Sequence, residues 1–132
     1  MEPDRGGRYP IHYNALEGRI VELAQSLAEG GEPSVPDGAG FTPLHLAAQS
    51  LNPKEVRLLI DAGADLEARN RFGATPLMTA FLRARDDDHG VTGILLEAGA
   101  DLDAENIAGI SPRQAADTVA NYDLKKYIPP GR

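Results

Sequence analysis

Four consecutive residues, Asp86, Asp87, Asp88 and His89, form the densest group of potential metal ligands and proton carriers in the chain. Carboxylates and imidazoles can hold a divalent cation, or share a proton as acid and base. The spacing argues against both uses. Oxygen-rich cation sites draw their ligands from alternate positions of a bent loop, with a glycine at the bend and a closing glutamate. Here three adjacent aspartates point in different directions, and that glycine and glutamate are missing. His12 and His45 are the other imidazoles. No Ser or carboxylate stands near either at a spacing that suggests a triad. The chain has no Cys, which excludes disulfides, thiolate ligands and a cysteine nucleophile. The glycine-flanked stretch "GADLEARNRFG", residues 63–73, lacks the lysine and the strand context of a phosphate loop. No catalytic residue, metal or cofactor is expected, and the chain is read as no enzyme.

The elements that carry these residues follow a repeat. "TPLHLAA" begins at Thr42 and "TPLMTAF" at Thr75, 33 residues later. "YPIHYNA" begins at Tyr9, 33 before Thr42, and "SPRQAAD" at Ser111, 36 after Thr75. A second marker agrees: "DAGADLEARN" ends at Asn70 and "EAGADLDAEN" at Asn106, while the degenerate "AEGGEPSVPD" ends at Asp37. A fixed period of this length is the mark of a solenoid. The chain divides into four units, Asp4–Pro36, Asp37–Arg69, Asn70–Glu105 and residues 106–132, within one domain. The third unit is three residues longer, and the excess falls around Arg85–Gly90. The aspartate run is therefore read as a lengthened, solvated turn between two helices, with Asp88 capping the second. A contact of Asp86, Asp87 and Asp88 with a partner is the alternative.

Each unit reads as helix, turn, helix and projecting loop. Thr42 is an N-cap with Pro43 at the first helical position. Leu44, Ala47 and Ala48 follow at helical spacing. Asn52 and Pro53 restart a helix by the same logic, and Val56, Leu59 and Ile60 form its apolar face. Gly63 ends it, where a left-handed residue is favoured. The third unit repeats the pattern with Thr75-Pro76, Leu95, Leu96 and Gly99.

"GFTPLHLAA" (40–48) with "LLIDAGADLEAR" (58–69), and "GATPLMTA" (73–80) with "ILLEAGADLDAE" (94–105), resemble the ankyrin repeat family. The resemblance implies an all-α solenoid of stacked helix-turn-helix units with short β-hairpin fingers. It also implies a structural role for His45, and for His12 at the matching place, in bonds within and between repeats near the threonine. Several residues depart from the family pattern: Met78 stands for the usual histidine, Tyr9 for threonine, Asn14 for alanine and Arg113 for leucine. Asn14 and Arg113 are polar where the family buries apolar groups, and both lie in the end units, which are accordingly read as caps with a wetter outer face.

Fingers and first helices line the partner-gripping face in proteins of this kind. The residues expected to bind a partner are Phe41, Arg69, Arg71, Phe72, Arg83, Asp103, Glu105, Ile107 and Ile110. Phe72 is either an exposed anchor, as aromatic and arginine residues often are, or folds back on a neighbouring repeat. Basic Arg69 and Arg71 facing acidic Asp103 and Glu105 would make the gap between two fingers bipolar. The net charge is −7, and residues 86–123 carry nine acidic residues against Arg113 alone. Such a field repels phosphates, which excludes nucleic acid, and steers a basic partner. The expected function is a binding module for a protein partner, in its sharper form an immunity or inhibitor protein that neutralises a basic effector such as a toxin nuclease. The alternative is a structural adaptor or subunit organising a larger assembly, including by self-association. The first nine residues have no apolar run, and nowhere do about 18 apolar residues stand together. A cytoplasmic chain, monomeric when free and away from membranes, is expected.

Overall fold

The computed structural model describes residues 2–83 and 90–118. Asp86, Asp87, Asp88 and His89 lie outside them. Seven helices are found among the described residues: α1 (Pro10–Leu16), α2 (Ile20–Ala28), α3 (Pro43–Gln49), α4 (Pro53–Asp61), α5 (Pro76–Arg83), α6 (Val91–Glu97) and α7 (Pro112–Thr118). They stack in two layers. α1, α3, α5 and α7 lie side by side, and α2, α4 and α6 run behind them. Helices of seven to nine residues are too short to persist alone, so their stability comes from neighbours. The buried stripe is continuous through Leu23, Leu44, Val56, Leu59, Leu77 and Leu95.

Proline at the first turn starts α1, α3, α5 and α7 alike, where its missing N–H has no helical partner to lose. At α3 the cap is reciprocal. Thr42 Oγ1 accepts from the His45 N–H at 3.3 Å, and His45 Nδ1 accepts from the Thr42 N–H at 3.1 Å. His45 Nε2 then donates to the Ala74 carbonyl, 2.8 Å away at the foot of the next finger. His12 repeats the inner half of this, taking the Tyr9 N–H at 2.9 Å and reaching the Val35 carbonyl at 2.8 Å. At the fourth matching place Gln114 Oε1 accepts from the Ser111 N–H at 2.9 Å. Met78, buried at the third, supplies no such bond.

Helix ends close as the glycines suggest. At α4 the Gly63 N–H meets Ile60 O and the Ala64 N–H meets Leu59 O, both at 3.0 Å, with Gly63 at φ 91°. Three expectations need correction. Asn52 precedes α4, but its side chain does not cap it; the amide donates to Ala15 O at 3.0 Å and Leu16 O at 3.3 Å, satisfying carbonyls at the end of α1. Asp88 is not the N-cap of α6, because Gly90, at φ 83°, occupies that position. Asn14 is no wet surface residue: it is 8% exposed and donates to Ser26 Oγ of α2 at 3.4 Å.

The fingers are hairpin turns so short that no strand forms among the described residues. Asp4, Asp37, Asn70 and Asn106 head them. In each, Oδ1 accepts the N–H groups two and four residues ahead, for example Ala39 and Phe41 at 2.9 Å on Asp37. One backbone bond joins each finger to the next: Gly38 to Gly6 O at 2.7 Å, Arg71 to Ala39 O at 2.8 Å and Ile107 to Phe72 O at 2.9 Å.

Asp37 also accepts from Arg8 Nε at 3.0 Å, tying finger one to finger two. Burial works to raise its carboxyl pKa, but Arg8 and the two N–H donors outweigh it and hold the group below its ordinary value. Asparagine could keep the turn and lose the ion pair. Asp37→Asn should therefore lower the unfolding free energy by about 1–2 kcal/mol and Asp37→Ala by roughly twice that, as read by urea denaturation. Equal losses would show that the turn bonds contribute nothing.

His45 is fully buried, and burial is the main influence lowering its pKa below 6.5. The fold prefers the neutral ring, since a protonated Nδ1 would face the Thr42 N–H. The stability that depends on this neutrality is present above pH 6.5 and is lost as pH falls through the lower folded value. The melting temperature should drop between about pH 7.5 and about pH 5.5. In His45→Met, which copies Met78, the slope over that range should be shallower, on top of a loss of about 1–3 kcal/mol at neutral pH. An unchanged slope would remove His45 as its source.

Candidate functional site

The expected partner residues gather unevenly around the fingers and the first-layer helices. Phe41 is partly buried. Its ring stands edge-on to His45, with centroids 5.7 Å apart, and to Phe72, with centroids 6.4 Å apart and planes at 77°. Phe72 combines the two roles considered for it: it leans on the previous finger and is still 47% exposed. The Arg71 guanidinium lies over the Phe72 ring, 4.8 Å from its centroid. These three side chains form one continuous surface of two rings and a cation.

Arg69 serves the scaffold instead. Its guanidinium donates to Gly73 O at 3.2 Å and, closely, to the Glu105 carbonyl, fastening finger three to the foot of finger four. Asp103 is held by Arg113 of α7, through Nε at 2.9 Å and Nη2 at 3.4 Å. That guanidinium lowers the Asp103 pKa. Arg113 is thus half-exposed and ion-paired where the family buries an apolar residue. The gap between the fingers is consequently less bipolar than the bare charges suggest. Glu105 is exposed. Ile107 and Ile110 are 75% and 43% exposed at the turn of finger four. Arg83 ends α5, and its side chain, like Asp86, Asp87 and Asp88, falls outside the described residues.

A hollow of about 180 Å³ opens between fingers two and three, walled by Phe41, Phe72 and Ala74. Gln49 at the end of α3, Thr79 of α5 and the head residues Asn70 and Asn106 complete it. Gln49, Thr79 and Asn106 were not among the expected contacts. Their approach depends on helix packing, though Asn70 and Asn106 were already marked by their place in the repeat. A wider hollow of about 550 Å³ lies beside Tyr9, Ile11, Ser26 and Val35, away from the fingers' aromatic surface.

Among the described residues, no histidine lines either hollow. Both ring nitrogens of His45 are engaged and the residue is sealed from solvent. Among the described residues no group of three or more His, Asp or Glu side chains could hold a metal ion. No described helix is long and apolar enough to cross a membrane.

Repeated helix pairs, a finger at each step and a threonine-histidine cap define a repeat protein of the interaction type. The model of ankyrin repeats, three copies, matches residues 7–106, and the chain belongs to the ankyrin repeat family. Ankyrin repeats are protein-interaction modules, and the family is generally non-enzymatic. The chain is similar to neurogenic locus notch homolog protein 4 of Homo sapiens, 39% identical over 83 residues, which cover 61% of this chain and 4% of that protein. Regulatory protein NPR5 of Arabidopsis thaliana is 43% identical over 70 residues, covering 51% and 14%. The putative palmitoyltransferase ZDHHC13 of Danio rerio is 32% identical over 71 residues, covering 54% and 11%. The match therefore spans a small part of each of these relatives.

Finger spacing can be tested with two glycines. A Cβ on Gly63 (φ 91°) meets nothing within 4 Å, whereas one on Gly73 (φ 71°) falls 2.8 Å from Ile107 N. Gly63→Ala should cost about 1 kcal/mol, from backbone strain alone. Gly73→Ala should cost at least twice as much and raise amide exchange at Ile107, where its bond to Phe72 O is broken. Equal costs would mean that close finger contact is dispensable.

Proposed function

We propose that this chain is a non-enzymatic binding module that holds one protein partner where the fingers meet the first helices, with Phe41, Arg71 and Phe72 at the centre. The observation that carries this reading is the half-exposed Phe72, backed by a second ring, covered by a guanidinium and set beside a hollow. Aromatic and arginine side chains in such pockets dominate interface energies. Ile107, Ile110 and Glu105 extend the surface towards finger four, and Arg83, Asp86, Asp87 and Asp88, whose side chains lie outside the described residues, are proposed as further charged contacts. The first and last units act as caps of a single stack. The net charge of −7 supports a partner with a basic surface, drawn in by long-range attraction. An immunity or inhibitor protein that masks a basic effector, such as a toxin nuclease, fits that charge. A cytoplasmic setting fits a chain without cysteine.

A second reading, an adaptor that organises an assembly by self-association, is favoured by the apolar pair Ile107 and Ile110 standing exposed on one finger. Light scattering separates the two. A monomer at working concentration supports the first, and a stable oligomer that Ile107→Ser dissolves supports the second.

The direct experiment is a pull-down from the native cell with the parent chain, Phe72→Ala, and the pair Asp103→Lys with Glu105→Lys. Phe72→Ala should weaken capture at least about tenfold, and the charge pair should weaken capture of a basic partner most at low salt. Capture by both variants at the parent level would place the interface elsewhere.

A further inference from the structure

The hollow between Phe41 and Phe72, about 180 Å³, is smaller than the roughly 300 Å³ at which small-molecule and cofactor sites begin. Its size suits one protruding side chain. The two rings, edge to face, give it an aromatic wall. The remaining walls bring in the carboxamides of Gln49, Asn70 and Asn106. Asn70 and Asn106 spend their oxygens on backbone N–H groups of their own fingers. Among the described residues their NH2 groups, and the Gln49 amide, have no hydrogen-bond partner. An amide NH2 is a donor, so what it seeks is a carbonyl or carboxylate oxygen.

A cation stands beside the hollow, on the Phe72 ring that walls it. Arg71 covers the Phe72 ring, Arg69 holds the finger beside it, and among the described residues no carboxylate comes within 4.0 Å of either guanidinium. Arg71 thus sets a positive charge beside the hollow, in a chain that is negative as a whole. A lysine or arginine beside the entering group would meet like charge, and a carboxylate would meet Arg71.

We infer that the hollow takes a single large apolar or aromatic side chain of the partner, presented on an extended segment that carries a carboxylate next to it. The ring or aliphatic group rests on Phe41 and Phe72. The segment's carbonyl oxygens accept from the carboxamides, and its carboxylate pairs with Arg71. This rests on the reading of the finger face as the binding surface, and it sets the local sequence of the bound segment whatever the overall charge of the partner.

The test uses the full chain, labelled for nuclear magnetic resonance, and two probes, N-acetyl-phenylalanine and N-acetyl-phenylalaninamide. Saturable shifts are expected at the Gln49 and Asn106 side-chain amides and at Phe72, with affinity in roughly the millimolar range for so few atoms. The carboxylate probe should bind several-fold more tightly than the amide. Arg71→Gln should abolish that preference and leave the amide probe bound. Phe72→Ala should weaken both about tenfold or more, with an unchanged circular dichroism spectrum. Gln49→Leu provides a second variant that leaves both rings in place, and it too should weaken both probes. No shift at these groups, or the same shifts in Phe72→Ala, would overturn the site; equal binding of the two probes would overturn the carboxylate. If Phe72→Ala destroys partner capture while neither probe binds, the finger face stands and this inference falls. If the probes bind as expected and capture is indifferent to Phe72, the hollow stands and the face reading falls.

Discussion

Every finger depends on one side-chain oxygen. Asp4, Asp37, Asn70 and Asn106 each hold two backbone N–H groups that a turn this tight could not pair by itself. With the turn closed, the finger presents one carbonyl to the next, and a single bond per step keeps the fingers in register. Glycine at the tip makes that approach possible: at Gly40 and Gly73 the following backbone lies where a side chain would begin. The aromatic surface exists only because two such fingers are held side by side.

The helices obey the same economy of small, repeated bonds, but the repeats are not equal. His45 reaches across to Ala74 and joins successive units, whereas His12 bonds to Val35 and Met78 offers only bulk. Arg8 and Asp37 supply an ion pair at the first junction, and Arg69 fastens finger three to the foot of finger four through the Glu105 carbonyl. Beyond the finger bond common to every step, the side-chain links between repeats thus come from different residues. A change at one should be felt mainly by its immediate neighbours, as expected of a linear stack.

Much of the fold was legible. Proline at helix starts, threonine before it and glycine after the second helix are local signals with local causes, and they mark most of the helix ends. Where they misled, a distant group had taken the side chain. Asn52 has the form of a cap and is instead drawn to the carbonyls of α1. Leu51 is in the left-handed region at φ 54°, where the matching place in the first unit has Gly18, and it packs against the core there. The site was less legible. Phe72 and Arg71 were recognisable as an aromatic and a cation on an otherwise polar finger. Nothing local distinguished Arg71, whose guanidinium lies on the Phe72 ring, from Arg69, which is also exposed but binds main-chain oxygens.

The sequence by itself determined the period, the two-helix unit, the finger heads and the acidic excess, because each is carried by residue type and spacing along the chain. Tertiary structure decided which charges remain available. Arg113 pairs with Asp103 and Arg69 fastens two fingers, contacts made between residues 10 and 36 positions apart. It also decided that Phe41, Phe72, Gln49 and two finger heads enclose one hollow. Periodicity sets what each unit is; the packing of one unit on the next sets which side chains meet, and that depends on distances no local pattern encodes.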